Sequence, residues 1–314
     1  MSASVAIATP AGPRALRDSG ADTVRGIVLI TVCYFIMTFG DVAVKFALPM
    51  AGLSAAILFR GALGAATVFA ITARGGRAGL ARLMPVRRGL VFWRSILQAM
   101  VGITWFASWE TMTLGDSYAV GFTTPLIATL LAVVLIGERL DFHRIMATAV
   151  GFVGVLIMLR PDGNLWSPAL GLLLAGVVCS AFARLMTRSL STTETPECLA
   201  FSLLLMHVPV AGLMMVFIPI HAMPWQALGA LCALGMLSGI AQMMNARAYA
   251  LAPVSALGPF DYSSMLWAVA LGWLCFGEMP HAAAVQGAVV IAAAGMYSLY
   301  TERRRHGREK KRAA

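Results

Sequence analysis

The sequence predicts an all-α integral membrane protein of ten transmembrane helices, built as two five-helix repeats of opposite orientation. Three observations predict it: long apolar runs, a one-sided distribution of basic residues, and a motif that returns at an offset of 140 residues. Of 314 residues, 59% are apolar and only 12% charged, too few charges to face water over the surface of a soluble globule. Crossing roughly 30 Å of hydrocarbon as a helix takes about 18 or more predominantly apolar residues, and several runs reach that length.

Residues 1–23 are polar and Ala-rich, contain Pro10 and Pro13, and lack the apolar core of a secretory signal, so they read as a disordered cytoplasmic tail. Ten apolar segments follow, at 24–44, 53–73, 90–110, 116–136, 143–160, 166–188, 198–219, 225–248, 252–276 and 281–301. Residues that break helices or carry charge separate them. Pro49 with Gly52 parts the first two, Gly75-Gly76 ends the second, and Gly115-Asp116 opens the fourth. Gly137-Glu138-Arg139, Pro161-Asp162-Gly163, Pro196, the stretch 219–224, Pro253 and Gly277-Glu278 mark the later breaks. Connections this short leave no room for an extramembrane domain. Residues 302–314 form a basic cytoplasmic tail.

Orientation follows from Lys and Arg, which concentrate in cytoplasmic loops. With a cytoplasmic N-terminus, 21 basic residues fall inside, only Lys45 and Arg160 fall outside, and Arg60 lies within a helix. Both termini are therefore expected in the cytoplasm. The net charge of +10 resides in these loops and in the tail from Arg303 to Arg312, which reads as topology signal and contact with anionic lipid. No aromatic-basic nucleic-acid motif accompanies it. The five cysteines, Cys33, Cys179, Cys198, Cys232 and Cys275, are odd in number and widely spaced, and indicate neither a disulfide framework nor a zinc site.

The repeat rests on two Gly-Glu pairs, Gly137-Glu138 after the fourth segment and Gly277-Glu278 after the ninth. Each precedes a segment with spaced glycines, Gly151 and Gly154 in one case, Gly287 and Gly295 in the other. Each follows a polar patch, Gly121 to Pro125 in one half and Asp261 to Ser264 in the other. Five helices per half is an odd number, so the second half must enter the membrane inverted. That architecture is common among transporters, with the substrate site near the midplane between repeats.

Ten helices, two five-helix repeats over 24–160 and 166–301, cytoplasmic ends and the two Gly-Glu pairs resemble the EamA-type permeases of the drug/metabolite transporter superfamily. Gly40 to Lys45, Phe59-Arg60, Asp116 to Ala119, Pro125 to Ile127, Gly137-Glu138 and Gly151 to Ile157 resemble the subgroup that holds riboflavin and S-adenosylmethionine carriers. The resemblance implies a secondary transporter of a small metabolite, riboflavin, S-adenosylmethionine or amino-acid-like, in a bacterial-type inner membrane. It implies no cofactor.

Charged side chains within hydrocarbon are costly, so each invites a functional reading. Asp261 stands in the ninth segment between Pro259, which withdraws a backbone donor, and Tyr262-Ser263-Ser264. It suits proton coupling or a substrate ammonium, and equally a structural hydrogen bond. Arg60 suits an anionic substrate group or an ion pair with Asp41 or Glu110. Asp41 and Lys45, four apart on one helix face, suit a pair with each other. His207, beside Pro209, reads as a packing histidine. In the third segment Arg94, Gln98, Gly102, Trp105 and Trp109 share one face, a stripe suited to a cavity in which Trp105 stacks on a planar group. Tyr118, Phe122, Thr123 and Thr124 are the repeat counterparts of the Asp261 neighbourhood, and Gln242 with Asn245 offers polar groups from the eighth segment or interhelical hydrogen bonds. The Gly-Glu pairs are accounted for by turn formation and helix-end charge.

The function classes left open are a carrier, a lipid flippase or channel, and an intramembrane enzyme. No phosphate-binding loop is present to bind ATP, and no His-Glu-x-x-His or paired-Asp site is present to support hydrolysis. The partners expected are a small-molecule substrate, membrane lipids and a coupling proton, with monomer and homodimer both open.

Overall fold

The computed structural model describes residues 20–124, 127–128, 131, 146, 149–154, 157, 167–190, 193–220, 222–251, 257, 260 and 263–313. Among them every regular element is a helix. They are α1 (Gly20–Ala73), α2 (Gly76–Ala81), α3 (Arg88–Ser108), α4 (Leu114–Gly121), α5 (Pro168–Leu190), α6 (Pro196–Met214), α7 (Trp225–Leu251), α8 (Ser263–Phe276) and α9 (Ala282–Ala313).

At 54 residues α1 would be about 80 Å long if straight, well over twice the thickness of a hydrocarbon core. It is broken at Gly52 (φ 77°, ψ 165°), a conformation closed to other residues, so its two limbs are the first two expected segments. Elsewhere capping sets the starts. Thr113 accepts from the Asp116 N–H at 3.0 Å to open α4. Thr195 accepts from Cys198 at 3.2 Å to open α6, with Pro196 in its first turn. α8 ends in an αL cap: Gly277 takes φ 67°, its N–H reaches the Trp273 carbonyl at 2.9 Å, and the Glu278 N–H reaches the Gly272 carbonyl at 3.3 Å. The last helix runs past the expected end at 301 to Ala313, because Glu, Arg and Lys are good helix formers once the chain leaves the apolar run. The expected segments 116–136, 143–160 and 252–276 lie partly outside the described residues.

Five helices among the described residues are long and apolar enough to cross a membrane, and the molecule is an all-α multi-pass membrane protein. Its surface is that of a protein solvated by lipid. Phe39, Phe46, Phe69, Leu213, Phe217, Leu266, Trp273 and Leu274 are exposed, whereas Arg94, Asp116, Glu194 and His207 are buried.

Lipid offers no hydrophobic drive for helix association, so close approach through small residues takes its place. The second limb of α1 is held between α6 and α7 in this way. A Cβ on Gly235 would lie 2.5 Å from the Phe59 carbonyl, one on Gly239 2.7 Å from the Gly64 carbonyl, and one on Gly64 2.9 Å from Leu204. The spaced glycines of the two Gly-Glu neighbourhoods also meet, since a Cβ on Gly154 would lie 2.9 Å from the Gly287 carbonyl.

Candidate functional site

α1, α3 and α4 bring a set of polar and aromatic side chains together inside the bundle. Tyr118 of α4 donates to Asp41 Oδ2 of α1 at 2.5 Å and lies 3.3 Å from the Thr38 hydroxyl. Trp105 of α3 stands edge-on to Tyr118 (centroids 5.5 Å apart) and to Trp109 (6.1 Å). This edge-to-face geometry sets the positive rim of one ring against the negative face of the next. The Arg60 guanidinium sits over Phe106, 5.1 Å from its centroid, and acts electrostatically on Asp41 and Tyr118. Gly121 allows the packing, since a Cβ there would meet the Trp105 ring at 2.6 Å.

Among the described residues, Arg60 Nε, Trp105 Nε1 and Trp109 Nε1 are buried here without a hydrogen-bond partner, as are His207 Nε2, Ser263 Oγ and Trp267 Nε1 in nearby helices. Buried donors are normally paired, so such a group is explained by a role in binding or by strain. The indole and Arg60 donors present N–H and no acceptor of their own, which suits an acceptor-bearing ring system.

A second cluster lies one turn and more along α1, toward Gly52. Lys45 Nζ donates to Glu278 Oε2 at 2.6 Å and to the Met112 carbonyl at 2.9 Å, and rides 5.4 Å from the Phe276 ring centroid. Beside it, Asp116 of α4 accepts from the His281 N–H at 3.0 Å and faces His281 Nδ1 at 2.9 Å. A cleft of about 470 Å³ opens between Lys45, Phe46 and Pro49 on one side and Trp109, Glu110 and Phe276 on the other.

The opposite end is tied differently. Glu194, buried before α6, accepts from the backbone N–H groups of Val86 (3.0 Å) and Arg87 (2.6 Å). Arg82 pairs with Glu197 at 3.6 Å. Arg94 donates to Thr187 Oγ1 (2.7 Å) and the Leu199 carbonyl (2.9 Å), joining α3 to α5 and α6.

The structure thus brings Arg60, Trp105 and Tyr118 together. It turns other candidates elsewhere. The Thr123 hydroxyl bonds the Val120 carbonyl (2.8 Å) of its own helix, and Phe122 packs with Met112, Leu173 and Val177. Gln98, Gln242 and Asn245 are half-buried, and among the described residues no side-chain hydrogen bond reaches them. Ser263 is half-buried with its hydroxyl unpartnered, while Asp261 and Tyr262 lie outside the described residues. Arg94 is no part of a cavity stripe but a tie between helices. His207 packs against Gly61 and Gly102, its Nδ1 2.8 Å from the Leu203 carbonyl.

Three sequence expectations need correction. Asp41 and Lys45 do not pair with each other, because each has a charge-assisted partner on another helix or turn, Tyr118 and Glu278 respectively, worth more than a local pair. Glu278 is more than helix-end charge. Arg60, expected to pair with Asp41 or Glu110, closes no ion pair among the described residues. Nothing local signals Lys45–Glu278 or Asp116–His281, which are 233 and 165 residues apart. The sequence offers only the end at which they lie, because the topology expected from the basic residues sets Lys45, Asp116 and the 277–281 turn on one face.

A multi-pass bundle with lipid-facing apolar residues and a charged, aromatic interior has the build of a membrane transporter. No family model matches the chain. The riboflavin transporter of Rhizobium johnstonii is 34% identical over 218 residues, covering 68% of this chain and 70% of that one. An S-adenosylmethionine uptake transporter of Rickettsia prowazekii is 25% identical over 224 residues, 70% and 72% of the two chains. A solved crystal structure shares the fold at TM-score 0.60 and 18% identity, over 91% of this chain and 98% of its own. The chain belongs to the family of bacterial membrane transporters that includes the Rhizobium johnstonii protein. Its role is to carry a small molecule across a membrane, not to catalyse a reaction.

Proposed function

We propose that the protein is a secondary transporter that moves riboflavin, or a similarly planar metabolite, across the inner membrane by alternating access. The observation that carries the reading is the cluster of Arg60, Trp105, Trp109 and Tyr118 (the chamber, in this reading), in which the Arg60 Nε and indole N–H donors are buried and lack acceptors among the described residues. An isoalloxazine ring is flat and edged with carbonyl and imine acceptors, so it can supply both the stacking surface and the missing acceptors. The sulfonium and ammonium of S-adenosylmethionine would instead meet the Arg60 charge. The relative named for riboflavin is also more similar than the one named for S-adenosylmethionine.

The moving parts are two inverted five-helix halves, 24–160 and 166–301, rocking about the chamber. The 140-residue recurrence of Gly-Glu and the meeting of Gly154 with Gly287 support that division. Both termini face the cytoplasm, as the distribution of basic residues supports, which puts the Lys45 cluster at the outer face and the Arg82 cluster at the inner one. Asp261 is the coupling carboxylate on its sequence setting. Tyr262, Ser263, Gln98, Gln242 and Asn245 contribute polar groups to the path.

The test is flux into proteoliposomes of purified protein with labelled riboflavin, S-adenosylmethionine and amino acids, with and without a pH gradient. Saturable riboflavin flux that unlabelled riboflavin suppresses and S-adenosylmethionine leaves intact is expected. Saturable flux of S-adenosylmethionine alone would overturn the substrate, and no carrier flux of any of them would overturn the reading.

A further inference from the structure

We propose that the turn after α8 is the outer gate of the carrier, closed by Lys45–Glu278 and Asp116–His281. The proposal rests on the alternating-access reading above, though not on which substrate is carried.

Both contacts join the first half to the second at one end of the molecule. Lys45 is on the first limb of α1 and Asp116 on α4, whereas Glu278 and His281 belong to one five-residue turn, 277–281. The turn is built to present them. Gly277 in the left-handed region reverses the chain at the end of α8 and aims Glu278 back at Lys45. Pro280 stiffens the next step and packs on Gly115, where a Cβ would lie 2.9 Å from it. His281 follows and delivers both a backbone N–H and a ring nitrogen to one carboxylate.

The groups engaged are unequal in a way that suits a contact that opens. Asp116 is buried at 2% exposure and Lys45 at 10%, while Glu278 is 32% exposed and His281 58%. Water can take over the Glu278 and His281 groups at little cost when the turn lifts. Lys45 retains the Met112 carbonyl and the Phe276 ring, so the ammonium is not stranded. Beneath the turn lies the cleft of about 470 Å³, and its wall Trp109 meets Trp105 edge to face. Lifting the turn would open this cleft toward Trp105 and Tyr118. The inner end is tied by backbone contacts to Glu194 and by Arg82–Glu197, a separate set that a rocking motion can release in the opposite phase.

The experiment reads gate position without requiring transport. In a variant with the five native cysteines replaced, Trp109→Cys reports access to the cleft wall through its labelling by a membrane-impermeant maleimide applied from outside. Lys45→Met and Glu278→Gln should each speed labelling at least about fivefold, the lower end of coupling between conformational states. The exchange Lys45→Glu with Glu278→Lys should return it to within about twofold of the parent. His281→Ala should speed labelling in the same direction. Unchanged labelling in Lys45→Met and Glu278→Gln, or no return in the exchanged pair, would overturn the gate. Either result reads separately from riboflavin flux in the native protein, so a wrong substrate and a wrong gate are told apart.

Discussion

Tyr118 holds the chamber's only described carboxylate in place, because its hydroxyl donates to Asp41 and meets Thr38. Tyr118→Phe keeps the ring against Trp105 and removes that donor. The cost should be about 1–3 kcal/mol of stability from a half-buried carboxylate that has lost its hydrogen bond, read as a lower unfolding midpoint in detergent. Trp105 separates stacking from shape. Trp105→Phe should raise the half-saturation concentration for riboflavin modestly, and Trp105→Ala by about tenfold, since an aromatic pair is worth roughly 0.5–1.5 kcal/mol beyond its buried area. Equal effects of the two would argue that Trp105 only fills space. At this scale the sequence told where polar groups sit in apolar runs, but not with whom they pair. Spacing of four on one helix made Asp41 and Lys45 look like partners, although each turns to a side chain brought from 77 or more residues away. Thr123 was legible as part of a polar patch, and only the structure shows its hydroxyl spent on the Val120 carbonyl one turn back.

Helices here are joined by glycine in two physically different ways, and two substitutions separate them. At Gly52 a Cβ would meet nothing within 4 Å, so Gly52→Ala adds only the strain of φ 77°. It should cost about 1–3 kcal/mol by thermal unfolding, with the helix crossings intact. At Gly235 the helix is regular, but a Cβ would meet the Phe59 carbonyl at 2.5 Å and Leu63 at 2.6 Å. Gly235→Ala should cost about 1–3 kcal/mol by forcing α7 away from α1, and Gly235→Leu should prevent a stable fold. If Gly52→Ala were silent, the break would not depend on glycine. The break itself was readable from Pro49 and Gly52, and the Gly277 turn from its Gly-Glu pair. Which glycines bear a crossing was not, because a chain with 30 glycines gives no local sign of which ones face a neighbour's backbone.

The whole molecule is apolar outside and charged within, the arrangement that a lipid solvent selects. Composition and run length made that class plain before any coordinate. The recurrence that sets Gly-Glu at 137 and 277 is the sequence's argument for an inverted repeat, and its first copy lies outside the described residues. What the sequence could not show was that Glu278 of the second pair reaches across to Lys45, a contact made only once distant helices are packed. Tags on both termini should be inaccessible to protease added outside intact cells, and cleavage of either would reverse the assigned faces.

Counterflow bears most directly on the claim of a carrier with alternating faces. Proteoliposomes loaded with unlabelled riboflavin and diluted into a trace of labelled riboflavin should accumulate label transiently above its equilibrium level, because one site faces each side in turn. Equilibration without an overshoot, at a rate that does not saturate, would contradict a carrier and describe a pore.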